Sequence, residues 1–205
     1  MAIRDLLWAC PFCRATDAIQ ARGKAEVCTH CGARFRRAAG AEIEAWPVGG
    51  QPVRRHAAEG AAELPPVRLP DEEQGGESDR EYRRTVAVAR FVVGFEPVRA
   101  RGHYLGRVER FGPAVQGTLV LTGEALTFAP ADGPAHRWPL ETVTAVQPSS
   151  SGLQIRVRGG TVVLFRFPEA SVRLWEETIQ AALRRLYRSM GWGDIVEFQP
   201  RISIQ

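Results

Sequence analysis

Between Gly117 and Tyr187 the apolar positions recur first with a period of two and then, past Pro168, with a helical period. Leu119 and Leu121 fall on one face of a strand, Thr122-Gly123-Glu124-Ala125 supplies a turn, and Leu126 and Phe128 fall on one face of the next strand. After the polar loop from Pro130 to His136, Trp138, Leu140, Val143 and Val146 make a third strand-like segment. Leu153, Ile155 and Val157 then alternate with polar residues up to Gly159-Gly160. Two registers are open to this last hairpin. A two-residue Gly159-Gly160 turn sets Arg156 opposite Val163 and turns arginines onto the side of Val163, Phe165 and Phe167. A three-residue loop of Arg158 to Gly160 pairs Val157 with Thr161, Ile155 with Val163 and Leu153 with Phe165. A slip of one residue exchanges the faces, so the second register is expected. It leaves Arg156, Val162, Leu164 and Arg166 outward, either as a contact patch or packed under the segment before Gly117. Val172, Trp175, Ile179, Leu183 and Leu186 recur at steps of three and four, a helix whose stripe can cap the strands.

Upstream the pattern is less decided. Ser78-Asp79-Arg80-Glu81 matches a capping box and Tyr82, Val86, Ala89 and Val93 follow at helical spacing, yet Thr85 to Val88 and Phe91 to Val93 suit a strand equally well. Gly94 and Pro97 end either element. Gly102-His103-Tyr104-Leu105-Gly106, set among Arg99, Arg101, Arg107 and Arg110, reads as a pocket or as a turn on a polar strand. Residues 48–80 hold Gly49-Gly50, Pro65-Pro66, Pro70 and an acidic run around Asp71, Glu72, Glu73 and Glu77, which predicts a flexible linker between independent folded ends. Residues 191–205 are rich in strand formers, and Ile195 to Phe198 is expected to dock as an edge strand on the preceding domain.

Composition adds little to this division. The chain has 205 residues, 44% of them hydrophobic, enough for one core of moderate size and a smaller module. Of its 27 basic side chains only Lys24 is lysine, a bias that fits genome composition better than a ligand and removes the net charge of +4 as an argument for nucleic acid. No stretch before the first cysteine has the length of an export signal, and the longest apolar run, Val86 to Phe95, contains Arg90. A cytoplasmic protein is the expectation.

The four cysteines change the picture most. Cys10-Pro11-Phe12-Cys13 and Cys28-Thr29-His30-Cys31 are two CxxC pairs fourteen residues apart. Two intervening residues let both sulfurs of a pair turn to one point, and two such knuckles complete a tetrahedral four-sulfur site. One structural Zn2+ on Cys10, Cys13, Cys28 and Cys31 is expected, with a redox pair of CxxC motifs or an iron site as the other readings. Four sulfurs leave no open position for a reacting water. His30 reads as a solvent-facing knuckle residue rather than an alternative ligand. Arg34, Arg36 and Arg37 on the following hairpin could meet phosphate, although nothing there makes an aromatic stacking platform.

The cysteine spacing with Cys31-Gly32-Ala33-Arg34-Phe35 resembles a zinc ribbon over residues 5–46. The later pattern, Leu121 to Phe128, Trp138 to Val146, Gly152 to Val157, Gly159 to Phe167 and a helix, resembles a GRAM domain of the pleckstrin-homology-like superfamily, over residues 82–190. That resemblance implies a bent antiparallel β-barrel closed by one C-terminal helix, and binding of lipid or protein at membranes. Family members that grip phosphoinositides are basic around the first hairpin, where this chain has Gly123-Glu124. The expected fold is therefore α+β, mostly β: a zinc ribbon in 1–47, a linker in 48–80, a GRAM-like domain in 81–190 and a tail in 191–205.

No nucleophile motif or phosphate-cradling glycine loop is present, His56 and His136 fall in loop-like sequence, and Glu176-Glu177 point about 100° apart as solvated helix residues. The expected function is a noncatalytic adaptor, its larger domain on a membrane surface or protein partner and its ribbon on a second macromolecule. The rival expectation is a nucleic-acid-associated regulator acting through the ribbon. The pattern carries no small-molecule substrate and leaves the oligomeric state open.

Overall fold

A computed structural model describes residues 2–39, 42–62, 64, 67, 69, 81–149 and 152–193. It is mostly β, with two antiparallel sheets and one long helix near the end of the described chain. The first sheet runs in chain order through β1 (Ile19–Arg22), β2 (Ala25–Cys28), β3 (Arg34–Arg37), β4 (Glu42–Trp46) and β5 (Val53–His56), followed by the short helix α1 (Ala57–Ala62). The expected hairpin in the Arg34 to Trp46 stretch is β3–β4, with Arg36 opposite Glu44. Burial alternates as the pleat requires, so that Phe35, Ile43 and Ala45 face inward onto Ile3, Leu7 and Ile19.

The larger sheet is built from β6 (Glu81–Ala100), β7 (His103–Phe111), β8 (Val115–Thr122), β9 (Ala125–Pro130), β10 (His136–Pro139), β11 (Val143–Ser149), β12 (Gly152–Val157) and β13 (Val162–Arg166). Its order is β10-β9-β8-β6-β13-β12-β11, with β7 joined to β6 alone. The ladder runs from β10 to β11 without closing on itself. Helix α2 (Val172–Ser189) covers one face, inserting Trp175, Ile179 and Leu183 against Leu119, Leu121, Phe128, Leu153, Ile155 and Phe165. Phe167 stacks on Trp175 with ring centres 5.4 Å apart.

The hairpin β12–β13 adopts the three-residue loop: Ile155 pairs with Val163, Leu153 with Phe165, and the Val157 N–H donates to the Thr161 carbonyl at 3.0 Å. Gly159 and Gly160 both take φ near +90°, a conformation open to glycine. Val162 and Leu164 on the outer face are buried, and Glu109 of β7 reaches across that face to Gln154 and Arg156. The outer apolar pair is thus buried rather than presented as an exposed contact patch.

Several expectations need correction. Residues 82–95 are strand: β6 is twenty residues long, and its cross-strand partners on both edges outweigh the helical spacing. The third strand-like segment breaks at Pro139, which cannot donate to a ladder. A turn of 3-10 helix at Leu140–Thr142 then carries the chain from β10 at one end of the sheet to β11 at the other. His56 and His136 lie on strands rather than loops, and His136 stacks on Trp138. The linker expected in 48–80 starts too early, since β5 and α1 belong to the first sheet unit. Leu64 packs with Trp8, Ala9 and Leu174, and Leu69 enters the larger core. Ser78 and the tail segment Ile195 to Phe198 lie outside the described residues.

The two folded ends are joined, not independent. Asp17 accepts from Arg83 Nη1 at 2.6 Å and from the Ser171 N–H at 3.2 Å, while Arg4 donates to the Pro168 carbonyl at 2.7 Å. With the Trp8, Ala9, Leu64 and Leu174 contact, the cysteine module sits on the start of α2.

Candidate metal centre and exposed arm

Cys10, Cys13, Cys28 and Cys31 converge, with all four sulfurs within 4.8 Å of one another. Cys10 Sγ lies 3.7 Å from Cys31 Sγ, and Cys13 Sγ lies 3.6 Å from Cys28 Sγ. A zinc–sulfur bond of about 2.3 Å at a tetrahedral centre sets sulfurs about 3.8 Å apart, so the contacts have the size such an ion requires. All four are free cysteines, so these separations are not disulfides.

The two knuckles repeat one local geometry. Cys10 N–H donates to the Ala15 carbonyl at 3.0 Å and Cys28 N–H to the Ala33 carbonyl at 2.8 Å; Arg14 N–H returns to Cys10 O and Gly32 N–H to Cys28 O. The residue after each second cysteine is left-handed, Arg14 at φ 65° and Gly32 at φ 76°. Backbone N–H groups of Phe12 and Cys13 face the Cys10 sulfur, and those of His30 and Cys31 face the Cys28 sulfur. Burial pushes the Cys10 thiol well up, the stronger effect there. At Cys28 burial also acts upward, but the two N–H groups and the neighbouring sulfurs outweigh it and leave the thiol below its ordinary value. The Cys31 thiol is raised, again chiefly by burial.

The first cysteine of each pair is buried and the second half-buried. These four residues could hold a metal ion, and the set they form is saturated by protein sulfur. His30 is exposed and contributes its backbone N–H.

The arginines expected to meet phosphate are partly spent. Arg36 pairs with Glu44 at 2.5 Å and lies over the Trp46 ring at 5.5 Å, and Arg54 pairs with the other Glu44 oxygen. These two guanidinium groups, Arg54 first, hold the Glu44 carboxyl below the usual carboxylate range. Cross-strand pairing of Arg34 with Trp46 brings a second aromatic ring, besides the buried Phe35, beside these arginines. Arg34 and Arg37 remain exposed on the same strand. On α2, Glu176 is buried, not solvated: it accepts from Arg173 and Gln180, and Arg173 also holds Glu177.

Gly102 to Gly106 is a turn and the start of β7. It is the tip of a projecting arm made by the last half of β6 and all of β7. Ala100 pairs with His103, and Arg101 (φ 49°) and Gly102 (φ 83°) are the two left-handed residues of a primed hairpin turn. Arg90 braces the base, donating to the Gly112 and Phe111 carbonyls. Beyond it the arm exposes Phe95, Val98, Tyr104, Leu105 and Val108. The sequence carried this signal as strand-forming residues without a covering partner, but the helix alternative for 82–95 hid the arm.

A cavity of about 530 Å3 lies elsewhere, between the Gly123-Glu124 turn, β10 and α2, lined by Tyr82, Arg137, Glu141 and Arg185. Arg137 pairs with Glu124 across it at 3.3 Å. No helix among the described residues is long and apolar enough to cross a membrane. Compared with protein-family models and with curated proteins, the chain finds no match in either.

Proposed function

We propose that the protein is a noncatalytic adaptor whose 81–190 unit docks on a membrane surface or protein partner, with the cysteine module as a second macromolecular contact. The carrying observation is the arm: large apolar side chains are held out on two strands together with arginines, and monomeric soluble proteins rarely expose such apolar groups together. The strand order with one C-terminal helix supports reading this unit as a GRAM-like relative of pleckstrin-homology domains, though its ladder is open. For the metal we assign one structural zinc per chain to Cys10, Cys13, Cys28 and Cys31, since a saturated four-sulfur set of this spacing suits zinc and offers no site for a substrate.

The rival nucleic-acid reading is weakened by the engagement of Arg36 with Glu44 and Trp46. The test is retention of the full chain by vesicles or by a protein partner, at low and at moderate salt. Binding to protein alone narrows the adaptor to protein docking. Binding to neither removes the reading, and metal analysis finding no zinc removes the cofactor assignment.

A further inference from the structure

We infer that the β6–β7 arm is a contact between two copies of this chain. The free edge of β7 pairs antiparallel with β7 of a second copy, Val108 meeting its own copy on the two-fold axis and Arg107 facing the partner's Glu109. This deepens the protein-docking side of the adaptor reading by naming the arm's partner, and it rests on that reading.

Among the described residues β7 pairs with β6 alone, so its other edge has no strand beside it. Such an edge is a template for another strand. A lone two-stranded hairpin is marginal in water, whereas three or more strands with an apolar face hold together. The arm carries the apolar residues for this: Val108 is 55% exposed, Phe95 46% and Val98 38%. A second β7 turns two such hairpins into one four-stranded sheet.

The register follows from β7 itself. Its pairing with β6 is regular from Gly106, opposite Val98, to Arg110, opposite Gly94. It breaks on either side, where Leu105 is skipped in β7 and Val93 in β6. Hydrogen-bonded and non-hydrogen-bonded pairs alternate in an antiparallel ladder, so a two-fold axis must pass through one residue and its own copy. Centring on Arg107, Glu109 or Arg110 sets like charges face to face. Centring on Gly106 carries the ladder across the break at Leu105. Val108, the middle of the regular run, is left, and the pattern about it is self-complementary. Arg107 opposes the partner's Glu109, Glu109 the partner's Arg107, and Gly106 leaves room for the partner's Arg110.

The two faces of the arm suit this arrangement. Val98, opposite Gly106, lies diagonal to Val108, so on one face two copies bring four valines together. On the other face Arg107 lies over the Phe95 ring at 5.3 Å, and Glu109 is held by Gln154 at 3.3 Å. Both charges are thus oriented within one chain before the other arrives, which lowers the ordering cost of pairing. Because the strands run oppositely, Arg99 and Arg101 at the two tips end on opposite sides of the axis. The shared ladder is short, so association in the micromolar range or weaker is expected.

The experiment is analytical ultracentrifugation of the full chain over a concentration series, in which a monomer–dimer equilibrium is expected. Arg107→Glu and Glu109→Arg each set like charges opposite at both pairs and should weaken association about tenfold or more. An equal mixture of the two variants restores both Arg–Glu pairs and should form a heterodimer near wild-type strength, which loss of fold in either could not produce. Should one of them unfold, Val108→Cys decides, by joining into dimers with a short thiol cross-linker that leaves the wild type unjoined. A wild type monomeric at every concentration overturns the pairing, while its retention by vesicles or by another protein keeps the adaptor reading standing. Monomer without such retention ends both. Dimers that neither charge variant weakens, or that the mixture does not restore, overturn the pairing, as does a Val108→Cys chain that fails to cross-link.

Discussion

Asp17 of the cysteine module accepts the backbone N–H of Ser171, the residue that caps helix α2. Ser171 Oγ in turn accepts the Leu174 N–H at 3.2 Å. In a capping box the return acceptor is a Glu or Gln at the third helical position, which here is Leu174. Asp17 supplies that acceptor from 154 residues away in sequence and adds a negative group where the helix dipole favours one. Its other oxygen holds Arg83 of β6, so one carboxylate joins the cysteine module, the long strand and the helix.

Asp17→Asn is therefore expected to cost about 1–2 kcal/mol, because it removes the charged partner of a half-buried arginine while keeping a residue tolerant of φ 50°. Chemical denaturation measures it. A double-mutant cycle with Arg83→Gln should return a coupling of about 0.5 kcal/mol or more. Strict additivity would show that the two modules do not communicate through this pair.

Metal removal should act first on the cysteine module. Thiolates are the ligands, so protons compete with the ion: the metal-linked stability is present at neutral pH and is lost as pH falls. Metal release on acidification, followed with a chromogenic chelator, should accompany exposure of four thiols and loss of the β1–β5 amide protection. Cys28→Ser should give the same loss at neutral pH. Thiols that react fully before any metal leaves would contradict the site.

Glu44 offers a second pH reading with the sign fixed by its partners. Its carboxyl titrates below the usual range because Arg54 and Arg36 favour the charged form, so its contribution is present above the unfolded-state value and is lost as pH falls through the lower folded value. Carbon-detected NMR should find its midpoint below that of an unpaired glutamate. Arg54→Ala should move the midpoint upward, and a midpoint indifferent to Arg54 would dissolve the assignment.

Gly117→Ala tests close packing in the larger sheet. A Cβ there would stand 2.3 Å from the Ala129 carbonyl oxygen and 2.8 Å from Phe128 Cζ, one a backbone atom and the other a core ring. Overpacking of this kind costs about 1–3 kcal/mol. Urea unfolding should show it as a lowered midpoint with unchanged slope, whereas Gly133→Ala, with open space around the position but φ 108°, reports backbone strain alone.

What the chain determined by itself is everything carried by short spacing. The two CxxC pairs specified four sulfurs at one point, since each knuckle closes within a few residues. The alternation of Leu153, Ile155 and Val157 with Val163, Phe165 and Phe167 specified the β12–β13 register, because only one slip keeps arginine out of the core. The 3.6-residue stripe specified α2. Tertiary structure decided what spacing leaves degenerate. Residues 82–95 satisfy a helix and a strand locally, and hydrogen bonds to β8 and β13, distant in sequence, select the strand. The same length of β6 carries the exposed arm, whose apolar residues look like core when read alone. The join at Asp17 was beyond sequence reasoning for a similar cause: a single aspartate after a cysteine knuckle has no pattern, and it acquires a role only when folding brings Arg83 and the Ser171 N–H to within hydrogen-bond reach of its two oxygens.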